Sequence, residues 1–474
     1  MLKEFNTTES TAEARMKYDF QYLIGLDLGT STIKGVIINE RGSVIAKAHA
    51  ATELLYPHKG WVETNPEDYY LLVCKVLREL SAAVPGEIRA FAMVAASGNT
   101  LLTDASGKPL RNIINWMDCR AEKEAPKVLA ELTEAEVSQV TGWPCVTSFP
   151  LAHLAWLKEN YPELYASSGH YGMDTDWLMY KMTGLWFMDH SIASTFHLQE
   201  QTAGKYYEPF LRKLGIPSEK LSKLVDSGVF IGHLTSQAIC DTGLTSHASV
   251  VSGCFDHPSA ARAMGVFMPG QLLLSCGTSW VGLTPCSDRQ KILDSNLICD
   301  QFLYSNMGYW AGMFSVPYIG RAIDWYINNV IAPGEEDPIR IFNESAAEAK
   351  ADAGGLRIDL REPTQMITAD RCNVSRAVME GAARLLKEKL QELNLYGFHF
   401  EQAKMVGGPA NSPVWPGIIE EITGIKLNVG DQSAGAKGAA MLAGIGVGIY
   451  QNEQDALKVW NSNHSPLEKG GRGD

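Results

Sequence analysis

Phe20-Gln-Tyr-Leu-Ile-Gly-Leu-Asp27-Leu-Gly29-Thr30-Ser31-Thr32-Ile-Lys34-Gly-Val-Ile-Ile38 reads as an apolar run, a short polar turn and a second apolar run. Both runs have strand length, and a glycine beside small hydroxyl residues is the chemistry of a tight reversal, so the stretch predicts a hairpin. Asn39-Glu-Arg-Gly-Ser43 supplies a second turn and Val44-Ile-Ala-Lys-Ala48 a third strand, which makes a meander. Working outward, Asn65-Pro66-Glu67-Asp68 has a capping Asn, a Pro at the first helical position and acids in the first turn, and so opens a helix. Ile88-Arg-Ala-Phe-Ala-Met-Val-Ala95 follows as another strand.

The same plan recurs far along the chain. Ser249-Val-Val-Ser252 leads to Gly253-Cys-Phe-Asp256, and Gln271-Leu-Leu-Leu-Ser-Cys276 runs through Gly277-Thr278-Ser279 into Trp280-Val-Gly-Leu283. Leu23 to Ile38 and Leu272 to Leu283 thus both read strand, Gly-Thr-Ser turn, strand, the mark of two related halves. Helices are expected at about Ser375–Leu393 and Ala434–Ala443, with a short strand at Lys404-Met-Val before Gly407-Gly408; Gly444-Ile-Gly-Val-Gly448 reads as a helix end and turn. Strands alternating with helices imply an α/β protein. The expected organisation is a loose extension (1–20), a first domain (21–248) and a second (249–474), meeting at a hinge between Leu244 and Gly253.

At 474 residues, 45% hydrophobic and 20% charged, the chain is an ordinary globular sequence too long for one core. A formal charge of −13 excludes a broad nucleic-acid footprint, yet leaves room for a mononucleotide held by local backbone groups and one metal ion. No apolar run approaches the roughly 20 residues of a membrane span, and no signal-peptide core precedes Phe20. Nine cysteines without a CxxC pair read as buried, reduced thiols. The expectation is a cytoplasmic protein with no nucleic-acid or membrane partner; a homodimer is also expected.

Five segments carry chemistry. In Asp27-Leu-Gly29-Thr30-Ser31-Thr32-Ile-Lys34 the glycine turn bares backbone N–H groups and the hydroxyls add donors, which suits phosphate oxygens, and Asp27 at the strand end suits a magnesium ion. A plain hairpin turn explains the same residues with nothing bound. Gly277-Thr278-Ser279 repeats that chemistry. Asp256, after a strand and before a helix, reads as a helix N-cap or as a base that takes a hydroxyl proton, with His257 beside it able to hydrogen-bond a sugar hydroxyl. Gly407-Gly408-Pro-Ala-Asn411 permits close approach to a flat ring or a phosphate, or is a simple strand-to-helix connection. Asn115-Trp116-Met-Asp118-Cys-Arg120, placed on one strand face, suits either a polyhydroxyl pocket or a salt-bridged structural edge. No GxxxxGK[ST] loop occurs.

In collinear order, DLGTSTIK from Asp27, Trp116-x-Asp118-x-Arg120, Gly253-x-x-Asp256, PGQLLLSCGTS at 269–279, RAVMEGAAR at 376–384, GGPANSPVW at 407–415 and GAKGAAMLA at 435–443 resemble the FGGY carbohydrate kinases, in the superfamily of sugar kinases, actin and heat-shock-chaperone ATPases. The resemblance implies two ribonuclease-H-like domains with a deep cleft between them, and an enzyme that transfers a phosphoryl group from Mg-ATP to a hydroxyl of a small carbohydrate. It implies Asp256 as catalytic base and Asp27 as a catalytic, magnesium-organising acid. It implies Gly29, Thr30, Ser31, Thr32 and Lys34 as the first phosphate loop, Gly277 and Thr278 as the second, and Gly407, Gly408 and Asn411 on the adenosine side. Asn99, Trp116, Asp118, Arg120 and His257 would contact the sugar. The sequence departs from pentulose kinases at Ala96-Ser97-Gly98-Asn99-Thr100, where those carry Gly-Gln-Met-His-Gly, and it lacks the Arg-Glu pair of glycerol kinases. A non-catalytic sugar sensor or actin-like scaffold on the same fold is the rival reading.

Overall fold

In the computed structural model, which describes residues 20–462 except 129, 131, 278, 317, 318 and 363, the opening run folds as the meander read from it. The expected N-terminal extension falls almost wholly outside the described residues, as does Thr278. Strand β1 (Tyr22–Leu28) pairs antiparallel with β2 (Thr32–Asn39), which puts Asp27 opposite Lys34, and β2 pairs antiparallel with β3 (Val44–Ala51). Helix α1 (Pro66–Ser81) begins where the sequence says it should: the Asn65 side chain accepts the N–H groups of Glu67 and Asp68 at 3.0 and 3.2 Å. It covers one face of β2 closely enough that a Cβ on Gly35 would meet Leu80 at 2.7 Å and Val76 at 2.8 Å.

Strand β4 (Ile88–Ala95) runs parallel to β1, β5 (Phe230–His233) is an edge strand, and β6 (Ser249–Val251) runs parallel to β4, completing the order β5-β6-β4-β1-β2-β3. Helix α2 (Asp256–Met264) follows β6. Strands β7 (Leu272–Cys276), β8 (Trp280–Cys286), β9 (Ile298–Leu303), β10 (Tyr309–Val316), β11 (Gln402–Gly407) and β12 (Lys426–Val429) form a second sheet in the order β9-β10-β8-β7-β11-β12. The duplication read from the two hairpins extends to whole sheets. In each, a central strand (β1 or β7) begins a three-stranded antiparallel meander on one side and has two parallel strands on the other, and each sheet adds one antiparallel edge strand. This is the ribonuclease-H-like arrangement expected. Helix α3 (Arg371–Leu395) is longer than read because Asp370 caps it, its carboxylate accepting from the N–H of Asn373 at 3.1 Å.

The chain packs as two compact units. One runs to Gly265 and resumes at Gly435; the other is Val266–Ala434. The break expected at 248/249 lies within the first unit, because β6 is an inner strand of the first sheet and α2 stays with it. Helix α4 (Ala434–Gly446) returns the chain to β1, and Gly448 at φ +74° makes the turn read at 444–448 before α5 (Glu453–Ser462). Backbone meets backbone there: a Cβ on Gly25 would lie 1.9 Å from the carbonyl oxygen of Ala436. Of the cysteines, Cys74, Cys254, Cys276, Cys286 and Cys299 are buried as expected, but Cys119 and Cys240 are exposed; all nine are free thiols.

Gly25→Ala is expected to destabilise the protein by about 3 kcal/mol, the range of severe overpacking. Gly417→Ala, in a helix with open space around it, should be neutral or stabilising by about 0.5–1 kcal/mol. Thermal unfolding of the two variants reads the contrast.

Candidate active site

Asp27 stands near the C-terminal end of β1, and Asp256 is the first residue of α2. The segment that joins β6 to α2 is held against β4: Phe255 bridges to Ala95, and the N–H of Ala95 donates to the carbonyl of Cys254 at 3.4 Å. That approach requires Gly253, where a Cβ would fall 1.7 Å from the carbonyl oxygen of Met93. Since β4 neighbours β1, the two carboxylates arrive at the same end of one sheet. Asp256 is not the N-cap, which is Phe255; it occupies the first turn, its carboxylate accepts the N–H of His257 at 2.6 Å, and the helix dipole favours its charge there. The His257 ring, 3.7 Å away, faces the same carboxylate.

Burial, with the charge of Asp256 second, pushes Asp27 up to about 7, against the pull of Lys34. Burial also raises Asp256, opposed by His257. Two acids held near each other at the cost of their ionised forms suit a site that receives cationic charge or a proton. Gly435, at the start of α4, leaves room for the Asp27 carboxylate: a Cβ there would be 2.5 Å from Oδ2.

The Gly29–Thr32 turn, read from the sequence as a phosphate turn, follows β1 directly. Gly29 is needed because a Cβ would press 2.8 Å from the Thr32 carbonyl oxygen, and Thr30 Oγ1 accepts from the Trp116 indole N–H at 2.9 Å. Ser31 and Lys34 are exposed, and Thr32 begins β2. Trp116, expected on a strand, is in a turn instead, because strand pairing stops at Ile114 and the Asn115 side chain accepts the N–H of Met117 at 3.1 Å. Asn99 is drawn to it, but its amide is committed: Oδ1 accepts the Trp116 N–H at 3.0 Å and Nδ2 donates to Asp174 at 2.7 Å.

For Asp118 and Arg120 the geometry takes the salt-bridged alternative. Both side chains are fully buried; Arg120 Nε donates to Asp118 at 2.9 Å, its Nη2 reaches Asp118 and Glu63 at 2.8 Å each, and the guanidinium lies 3.7 Å over the Trp61 ring. Asp118 also accepts the N–H of Val62 at 2.6 Å. Nearby, His153 is buried with Nδ1 on the Thr100 hydroxyl at 2.8 Å, and burial drives its pKa down to about 4.

In the second unit, Gly277, Gly408 and Asn411 line a cavity of ≈ 410 Å³ together with Trp280, Asp324 and Trp415. Gly407, at φ +100°, lets β11 press on β7, since a Cβ would lie 2.2 Å from the Cys276 carbonyl oxygen. A Cβ on Gly408 would point into open space among the described residues. The Asn411 amide donates back to the carbonyls of Gly407 and Gly408 at 3.2 and 3.3 Å, bracing the loop. Trp415 ended a sequence motif, and Trp280 followed one. Asp324, on the helix Ile319–Tyr326, had no local signal.

Paired, half-buried acids beside a glycine–hydroxyl turn, on a duplicated sheet, suit a phosphotransferase. The chain matches the model for the N-terminal domain of the FGGY family of carbohydrate kinases over residues 22–263, and it belongs to that family. It is 25% identical to a xylulose kinase of Bacillus subtilis (strain 168), over 92% of this chain and 91% of that one. It is 26% identical to an autoinducer-2 kinase of Yersinia enterocolitica, over 98% and 92%. A crystal structure of Plasmodium falciparum glycerol kinase with ADP shares its fold at a TM-score of 0.79 and 19% identity, covering 93% of this chain and 92% of that one. Among the described residues no helix is long and apolar enough to cross a membrane, and no cluster of three or more His, Cys, Asp or Glu stands ready for a metal.

Two outcomes follow from the buried groups. Asp118→Ala strands the Arg120 guanidinium and is expected to cost about 3–5 kcal/mol in denaturant unfolding, with the sugar KM of the folded enzyme little changed. His153 holds its neutral form down to about 4 when folded but protonates near 6.5 when unfolded, so stability falls as pH drops through that window. His153→Leu should flatten the decline in urea midpoint between pH 7 and pH 4.

Proposed function

We propose that the protein phosphorylates one hydroxyl of a small ketose, polyol or sugar acid from ATP, with Asp256 as the general base. The observation that carries this is the placement of Asp256 in the first turn of α2, its side chain partly exposed and beside Asp27 at the end of the same sheet. Asp256 orients the acceptor hydroxyl and takes its proton as the hydroxyl oxygen bonds to the γ-phosphorus and the bond to the ADP oxygen breaks. Such transfers proceed through a loose transition state, so positioning and charge neutralisation carry most of the rate. The N–H groups around Gly29 and the hydroxyls of Thr30, Ser31 and Thr32, with Lys34, serve the phosphate oxygens.

Asp27, half-buried and with a raised pKa, is the kind of group a cation would stabilise, and one carboxylate with phosphate oxygens and waters is a normal magnesium shell. Asp27 would hold the magnesium of Mg-ATP, whose charge neutralises the phosphate oxygens. The cavity of ≈ 410 Å³ has the size and aromatic lining of a nucleoside pocket, with Gly408 permitting close approach and Trp280 and Trp415 offering apolar surface to a base. His257 and Trp116 remain as sugar contacts, with Asn99 holding the Trp116 backbone N–H, while Asp118 and Arg120 are spent on each other and on Glu63. Nine free thiols suit the cytoplasm as the place of action.

Magnesium-dependent ADP release, measured against ketoses, aldoses, polyols and sugar acids with Asp256→Asn alongside, tests the reading. One acceptor should stimulate turnover, and the variant should lose about 10²–10⁴-fold while still binding ATP. Tight ATP binding without stimulation by any acceptor would favour a sensor instead.

A further inference from the structure

Behind the first phosphate turn, three hydrogen bonds run in series through residues far apart in sequence. Trp116 Nε1 donates to Thr30 Oγ1 at 2.9 Å, the Trp116 backbone N–H donates to Asn99 Oδ1 at 3.0 Å, and Asn99 Nδ2 donates to Asp174 Oδ2 at 2.7 Å. Asp174 is 2% exposed and opens the helix Asp174–Thr183, its other oxygen accepting the N–H of Thr175 at 3.1 Å. The directions of these bonds are set by chemistry. A carboxylate only accepts and a backbone N–H only donates, so the Asn99 amide has one orientation that satisfies both neighbours. An indole N–H likewise only donates, so it occupies a lone pair of the Thr30 hydroxyl and leaves that hydroxyl's single proton for another acceptor.

Little slack exists in this chain. A cavity of only ≈ 10 Å³ lies among Gly29, Thr30, Asn99, Asn115 and Asp174. At Gly98, φ +102°, a Cβ would meet Phe149 at 2.7 Å and the Trp116 Cβ at 3.1 Å. Burial lifts Asp174 and the bond from Asn99 opposes the rise, as expected for a carboxylate kept for that bond.

We propose that Asp174 is a positioning residue for phosphoryl transfer, acting through Asn99 and Trp116 to aim the Thr30 hydroxyl proton at a phosphate oxygen. The proposal rests on the reading of Gly29–Thr32 as a phosphate turn. It gives Asn99 a part that does not involve touching the sugar, and it makes Trp116 the link between the sugar side and the phosphate side of the first unit.

The test uses the full-length enzyme. In Asp174→Ala, kcat/KM for ATP should fall about 10–100-fold, since hydrogen bonds made only in the transition state carry about 1.4 kcal/mol per decade. Asp174→Asn, which still offers Asn99 an acceptor oxygen, should recover most of that loss. Trp116→Phe should fall as Asp174→Ala does, and the double variant should fall no further. Independently of turnover, the ¹⁵N-indole resonance that Trp116→Phe removes should shift and exchange faster with solvent in Asp174→Ala while the other indole signals, which report the fold, stay in place. An unmoved Trp116 resonance, or losses that multiply in the double variant, would overturn the proposal. A moved resonance in an enzyme that no acceptor stimulates would instead sink the kinase reading and leave the hydrogen-bonded chain standing.

Discussion

Helix α4 lies on β1 at backbone-to-backbone distance, and the rest of the first unit depends on that contact. Gly25 and Gly435 remove the side chains that would keep the two apart, and Gly438 does the same against α2, where a Cβ would come 2.0 Å from the Ser259 carbonyl oxygen. The Ser259 hydroxyl then donates to the Gly435 carbonyl at 2.7 Å. Three glycines thus let the last stretch of the chain wedge between the strand that carries Asp27 and the helix that carries Asp256. A methyl group at any of them would move one acid relative to the other, and the proposed mechanism, which works by positioning, tolerates little displacement. The contact is reinforced below α2 by a buried ion pair, Arg262 to Glu453 of α5 at 3.1 Å.

The first unit handles its buried charges in two opposite ways. Asp118, Arg120 and Glu63 are dry, mutually paired and stacked on Trp61, which is how a fold makes buried ions tolerable. Burial raises the pKa values of both Asp27 and Asp256, and the charge of Asp256 adds to the rise at Asp27. Strain of that kind persists where function uses it, because a cation or a transferred proton relieves it. Asp174 falls between the two cases: a buried acid with no basic partner among the described residues, held by one amide and its own helix N-terminus.

The two sheets repeat one topology but serve different ends. In the first, the hairpin turn after the central strand meets Trp116 and a small polar gap lined by Asn99 and Asp174; in the second, the matching turn after β7 opens on an apolar, aromatic-lined cavity. A duplicated scaffold with divergent loops gives two different sites from one architecture, the general relation between fold and function.

Much of this was legible in the chain of letters. The meander from Tyr22 to Ala51, the capped start of α1 and the second Gly-Thr-Ser hairpin follow from periodicity, turn chemistry and short motifs, all of which act over a few residues. Local pattern could not say whether Asp118 and Arg120 face a sugar or each other. That depends on Glu63 and Trp61, brought in from another segment. Nor could it reveal that Asn99 is spent on Asp174, that Asp324 and Trp280 line one cavity, or that the chain after Ala434 leaves the second unit for β1. Those outcomes rest on pairings between residues tens to hundreds of positions apart, which only the closing of the sheets and the packing of α4 bring within hydrogen-bonding reach.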